Sequence, residues 1–158
     1  MTTSIQKLFY NETASLYAES LAKRDPELMW GKGVMFSALV AAARHESVAY
    51  RPVLDRFFAA MDRYWDERAG IPGYEPAPTT GDGHHQYYDD NEWMVIAFTE
   101  AYDLTQDVKY LDRAEQTLKF CLSGWDDQLG GIQWHVLAIF APSFLPGRLI
   151  ARFGKRRV

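Results

Sequence analysis

Apolar residues recur at helical spacing over most of the chain, and the spacing predicts five helices and no strand. Residues 12–23 read as a weak first helix that ends near Asp25-Pro26, because a proline disfavours helical geometry at the residue before it. A second helix is expected to start near Trp30. Over 33–45 small and apolar residues occupy every side, the pattern of a helix buried within a bundle. Over 50–68, Val53, Leu54, Phe57, Phe58, Met61, Tyr64 and Trp65 recur at spacings of three and four, while Arg51, Asp55, Asp62 and Arg63 fall on the opposite face. That is an amphipathic helix. Further helices are expected over 89–102 and 107–122, the last with Leu111, Ala114, Leu118 and Leu122 on one stripe.

The pattern repeats. Trp65-Asp66 and Trp125-Asp126 each close an amphipathic helix, lie 60 residues apart, and precede a Gly-Ile step, Gly70-Ile71 and Gly131-Ile132. An apolar helix, an amphipathic helix and a Gly-rich loop form a unit that must hide its face against its neighbours, so an array of helical hairpins is expected. A tetratricopeptide array is excluded by the period, which is about 34 residues in that family.

Composition narrows the function. The 158 residues are 47% hydrophobic and 15% aromatic, enough for one core of ordinary size. Residues 136–158 carry five cations and no acid, so the net charge of −4 leaves −9 on the rest. An acidic, aromatic-rich body does not suit a nucleic-acid groove, which must attract phosphates, whereas neutral sugars fit it. Cys121 is the single cysteine and is expected in the core. Pro142 and Pro146 interrupt the one apolar stretch that approaches the roughly 20 residues of a membrane span, so no transmembrane segment is expected. The polar first ten residues lack a secretory pattern, and a cytoplasmic location is the expectation.

The chemistry concentrates between the third and fourth helices. The loop 70–88 is longer than structureless connections usually are, and it brings Tyr74, His84, His85, Tyr87 and Tyr88 up to Asp89-Asp90-Asn91-Glu92-Trp93 at the next helix start. Two carboxyl groups flanking a bond are what glycoside hydrolysis needs: one ionised, one protonated. A helix N-terminus favours the anion, and a close second carboxylate raises its neighbour's pKa. The alternative is a capping box, Asp89 with Glu92 three residues on. His84 and His85 form no metal site, since adjacent histidines point apart and no second ligand cluster is spaced to help them; neither metal nor other cofactor is expected.

The run Tyr87-Tyr88-Asp89-Asp90-Asn91-Glu92-Trp93 resembles the YYDDN-x-W signature of glycoside hydrolase family 76, the endo-α-1,6-mannanases, and Trp125 to Trp134 resembles that family's W-D-x-x-x-GG-I-x-W segment. The resemblance implies an all-α, six-hairpin α/α-toroid and a retaining, metal-free mechanism on α-1,6-linked mannan or mannooligosaccharides. It makes Asp89 the nucleophile and Asp90 the general acid/base. Consecutive aspartates suit retention, which needs carboxyl groups about 5 to 5.5 Å apart, better than inversion. Tyr87, Tyr88, Asn91, Trp30 and Trp134 are the expected substrate-binding residues.

Six hairpins of this period need roughly 360 residues. Residues 1–135 therefore read as a partial toroid domain of about two and a half hairpins, and 136–158 as a divergent basic apolar tail. Such a segment is expected to be weakly active or inactive alone, and to self-associate through inner helices left uncovered. The competing readings are a non-catalytic carbohydrate-binding or scaffold protein, and another toroid enzyme such as an unsaturated glucuronyl hydrolase or an epimerase.

Overall fold

A computed structural model describes residues 2–68, 70–79, 86–132 and 134. The expectations for His84, His85 and residues 136–158 lie outside the described residues. Among the described residues five α-helices run Thr2–Phe9 (α1), Met29–His45 (α2), Ser47–Ala60 (α3), Tyr88–Thr105 (α4) and Val108–Ser123 (α5). Two-stranded hairpins lie between α1 and α2, Tyr10–Asn11 with Leu16–Tyr17 (β1, β2), between α3 and α4, Trp65–Asp66 with Gly73–Tyr74 (β3, β4), and after α5, Trp125–Asp126 with Gly131–Ile132 (β5, β6).

The helix expected over 12–23 is absent. Its place is taken by the β1–β2 turn, in which Asn11 Oδ1 accepts the Ala14 N–H at 3.0 Å and Ser15 adopts a left-handed φ of 54°. Asparagine offers the backbone a turn that competes with a helix, and Tyr10, Leu16 and Tyr17 bury around it. The helix expected over 50–68 also stops early. A 3-10 turn, Met61–Tyr64, leads into β3, where Trp65 turns extended (φ −82°, ψ 116°) to pack its ring 4.9 Å from Tyr74.

The hairpins correct the repeat as well. Trp65 pairs with Tyr74 and Asp66 with Gly73, just as Trp125 pairs with Ile132 and Asp126 with Gly131. The counterpart of Gly131-Ile132 is thus Gly73-Tyr74 and not Gly70-Ile71. Ile71 is 43% exposed, whereas Tyr74 is fully buried.

Helices α2 and α4 pack against each other as the inner pair, with α3 against α2 and α5 against α4. Their close approach depends on Gly33, where a Cβ would stand 2.6 Å from the Cβ of Trp93. The core between them is aromatic: Phe36 meets Phe98 edge-on at 5.0 Å and stacks on Phe57 at 5.7 Å, each fully buried ring contributing about 2–3 kcal/mol. A second cluster of Tyr88, Val95, Leu118, Phe120, Cys121 and Ile132 seals α4 against α5 and β6.

Helix α5 keeps the middle of its expected face and is rotated at its ends. Ala114, Leu118 and Cys121 are buried as expected, joined by Tyr110 and Thr117, while Leu122 is exposed. The Tyr110 ring lies 4.7 Å from Phe58 and its hydroxyl donates to Asp55 at 2.7 Å, which sets the rotation. Around that contact Lys109 Nζ lies 2.7 Å from Asp55 and 3.0 Å from Asp107, tying the start of α5 to α3. Asp107 also caps α5 by accepting the Lys109 N–H at 3.2 Å.

Candidate active site

Helix α4 begins at Tyr88 after an extended Tyr87 (φ −108°, ψ 134°), with no side-chain cap. Asp89 and Asp90 are therefore the second and third helical residues. A capping box would need Asp89 outside the helix, so the structure removes that reading. Carboxylates in the first turn complement the exposed amides of the helix start. Asp89 is half-buried, and its Oδ1 is buried with no hydrogen-bond partner among the described residues. Asp90 is 7% exposed. Burial, and secondarily the Asp89 charge beside it, push its carboxyl up to about 7.

Three expected residues share this end of the helix pair with the dyad. The Tyr87 ring lies 5.1 Å from Trp134, which is 44% exposed. Trp30, 53% exposed on the first turn of α2, meets Trp93 edge-on at 6.1 Å. Trp93, one turn along α4 from the dyad, completes this rim. Its helical offset from Asp89 and Asp90 is the signal in the sequence that would have placed it near them.

Tyr88 and Asn91 are placed behind the dyad instead. The Tyr88 ring is buried, stacks on Phe120 at 4.8 Å, and fills the space over Gly124, where a Cβ would come within 2.6 Å of it. Asn91 is fully buried, and its amide is occupied by backbone groups of Tyr74 and Tyr87. Both side chains are buried in this structure. Tyr74, another ring of the loop before α4, belongs to the core.

Two other features stand apart. Lys32 is fully buried on α2, where it donates to the Glu27 carbonyl and sits 4.7 Å over the Tyr64 ring; burial, opposed by Glu27, pushes it down to about 8. A cavity of about 410 Å³ between Asp62, Trp65, Asp66, Arg68, Thr79 and Arg113 includes no dyad residue. Among the described residues no cluster of His, Cys, Asp or Glu is arranged to hold a metal, and no helix is long and apolar enough to cross a membrane.

The model of glycosyl hydrolase family 76 matches residues 1–141 of the chain. A family 76 α-mannanase of Bacteroides thetaiotaomicron superposes with a TM-score of 0.77 at 28% identity, over 89% of this chain and 40% of that one. An inactive variant of a Salegentibacter α-1,6-mannanase, with two consecutive aspartates replaced by asparagine and α-1,6-mannotriose bound, superposes with a TM-score of 0.66 at 17% identity, over 85% of this chain and 36% of that one. The α/α-toroid architecture is therefore shared, and the chain spans about 40% of the length of the first of these structures. Separately, 28 residues are 71% identical to a riboflavin transporter of Brucella anthropi, covering 18% of this chain and 7% of that protein.

Proposed function

The chain belongs to glycosyl hydrolase family 76, and from that premise we propose that it carries the carboxylate pair of a retaining glycoside hydrolase acting on α-1,6-linked mannan. The observation that carries this reading is the dyad itself: adjacent Asp89 and Asp90 at a helix start, one half-buried and the other buried and pushed up to about 7. The α-1,6 linkage is supported by the α-1,6-mannotriose bound to the inactive Salegentibacter variant.

In the first step the Asp89 carboxylate attacks the anomeric carbon, the glycosidic C–O bond breaks, and Asp90 gives its proton to the departing oxygen. The amides of the α4 N-terminus favour the anion at Asp89. In the second step Asp90, now ionised, takes a proton from water as that water attacks the mannosyl–Asp89 ester and releases the sugar. Because Asp90 must begin protonated, the rate falls as pH rises through about 7. Trp30, Trp93, Tyr87 and Trp134 offer ring faces or edges to the apolar sides of the pyranoses. Tyr88 and Asn91 support the pair from behind. On the same reading residues 1–135 form a partial toroid domain.

Reducing-end release from α-1,6-mannan, at high protein concentration and long incubation, tests the proposal. Asp89→Asn and Asp90→Asn are each expected to lower turnover to background, a loss on the order of 1,000-fold or more where the unsubstituted rate allows it to be read. Asparagine keeps the shape and the helix-start polarity, so fold is preserved. Normal turnover in either variant rejects the assignment of roles. Mannooligosaccharide binding by the unsubstituted chain without turnover, left unchanged in both asparagine variants, favours the carbohydrate-binding reading.

A further inference from the structure

Two side-chain amides bracket the carboxylates. On one side of the pair Asn91 is fully buried; its Oδ1 accepts the Tyr74 N–H at 2.8 Å, and its Nδ2 donates to the carbonyls of Tyr74 at 2.9 Å and Tyr87 at 2.8 Å. Both Nδ2 hydrogens are thereby used, and the amide reads Tyr74 from both its backbone groups, as a neighbouring strand would. On the other side Gln86, also buried, donates Nε2 to the Gly73 carbonyl at 3.0 Å. Between them the two amides grip both residues of β4, Gln86 at Gly73 and Asn91 at Tyr74.

That strand is itself held fast. The Tyr74 ring is buried, its hydroxyl accepts from Arg113 Nη1 at 3.0 Å, and it packs 4.9 Å from Trp65 and 6.1 Å from Phe98. Gly73 makes the grip possible, since a Cβ there would meet the Phe120 ring at 2.8 Å and Gln86 Nε2 at 3.2 Å. The backbone of β4 is thus a rigid reference joined to the core of the outer helix α5.

We propose that Gln86 and Asn91 are positioning residues: through β4 they fix both ends of the segment 86–91, and so set the depth and angle of Asp89 and Asp90 and turn Tyr87 toward Trp134. The helix alone would not do this, because its first turn has no side-chain cap. Its first amide is held, Tyr88 N–H donating to the Trp134 carbonyl at 2.9 Å, but a reacting pair tolerates errors of only about 0.5 Å and 10–20°, which one backbone bond does not enforce. Asn91 has no amide donor left to offer. The inference rests on the reading that Asp89 and Asp90 are the reacting pair.

Gln86→Met tests it, removing one hydrogen bond while keeping side-chain length, with Asn91→Ala as the harsher variant. The titration of the Asp90 carboxyl is followed by carbon-detected NMR on the whole chain, the signal assigned by its loss in Asp90→Asn, alongside circular dichroism and, where mannan is hydrolysed, kcat and KM. The expected result for Gln86→Met is an unchanged fold, an Asp90 midpoint moved toward the ordinary carboxyl value by ~0.5–1 pH unit as water gains access, and kcat lowered about tenfold with KM within about twofold. A folded Gln86→Met whose Asp90 midpoint stays put overturns the proposal, even if its melting temperature drops. Should Asn91→Ala fail to fold, Gln86→Met alone decides. If the unsubstituted chain hydrolyses no mannan, the titration alone judges the positioning claim.

Discussion

Replacing Asp90 by asparagine should stabilise the protein at alkaline pH while abolishing its chemistry. In the folded chain burial and the neighbouring Asp89 push the Asp90 carboxyl up to about 7, while in the unfolded chain it titrates at about 3.9. The folded state therefore holds a proton that the unfolded state releases between these values. Stability contributed by the protonated group is fully present below about pH 4 and is lost as pH rises through about 7. The two midpoints lie about three pH units apart, and at about 1.4 kcal/mol for each the full loss comes to roughly 4 kcal/mol. Relaxation and water entry around the charged form reduce this, so about 2–4 kcal/mol is expected above about pH 8. Asparagine mimics the neutral carboxyl and is never ionised. Urea denaturation of both proteins at about pH 4 and about pH 8.5 measures the effect: near-equal stabilities at the lower pH, and an advantage of about 2–4 kcal/mol for Asp90→Asn at the higher. Equal differences at the two pH values, or a variant less stable than the parent in alkali, would refute the claim that burial holds Asp90 protonated.

The opposite sign is expected at Asp55. Burial alone would raise its carboxyl, but hydrogen bonds from Lys109 and Tyr110 and the charges of Arg51 and Lys109 hold it below the usual range. Its contribution is present at neutral pH and lost as pH falls through that lowered value. Since its side chain is 36% exposed and screened, Asp55→Ala should cost only about 1 kcal/mol at neutral pH, read by thermal melts that converge on wild type in acid. On α2 the exposed Trp30, Val34, Ala38 and Ala41 form an uncovered stripe. The isolated chain is expected to elute above monomer size, and Val34→Glu to shift it toward monomer, in size-exclusion chromatography at ~0.1 mM; identical profiles would reject this stripe as the contact.

The inner helices were legible because their signal is long and local: some four turns of apolar residues over 33–45 and the polar-apolar start at Asp89 need no partner to be recognised. The hairpins were not, because two-residue strands are too short to show alternation, and each exists only through a pairing such as Trp65 with Tyr74. The same distance problem misassigned Gly70-Ile71 as the counterpart of Gly131-Ile132. A Gly-Ile match in letters was closer than Gly-Tyr, yet the pairing selects Gly73-Tyr74, whose ring has a core to enter.

For the site, the sequence alone offered the candidates for the chemistry. A carboxylate pair followed by Asn-Glu-Trp, set in an aromatic context at a helical period, already pointed to sugar hydrolysis, since side-chain type and near spacing are local properties. Only the tertiary structure decided which of those residues face outward. Tyr87 and Tyr88 are adjacent in sequence, but one ring stands beside Trp134 and the other is sealed over Gly124. Asp89 and Asp90 differ by one position along α4, and that rotation of about 100° buries the second more than the first. Asn91 turns inward because Tyr74, 17 residues earlier, presents an N–H and a carbonyl that its side-chain amide satisfies together. Orientation depends on what packs behind each side chain, and that is supplied by α5, β4 and the hairpin after α5, all distant along the chain.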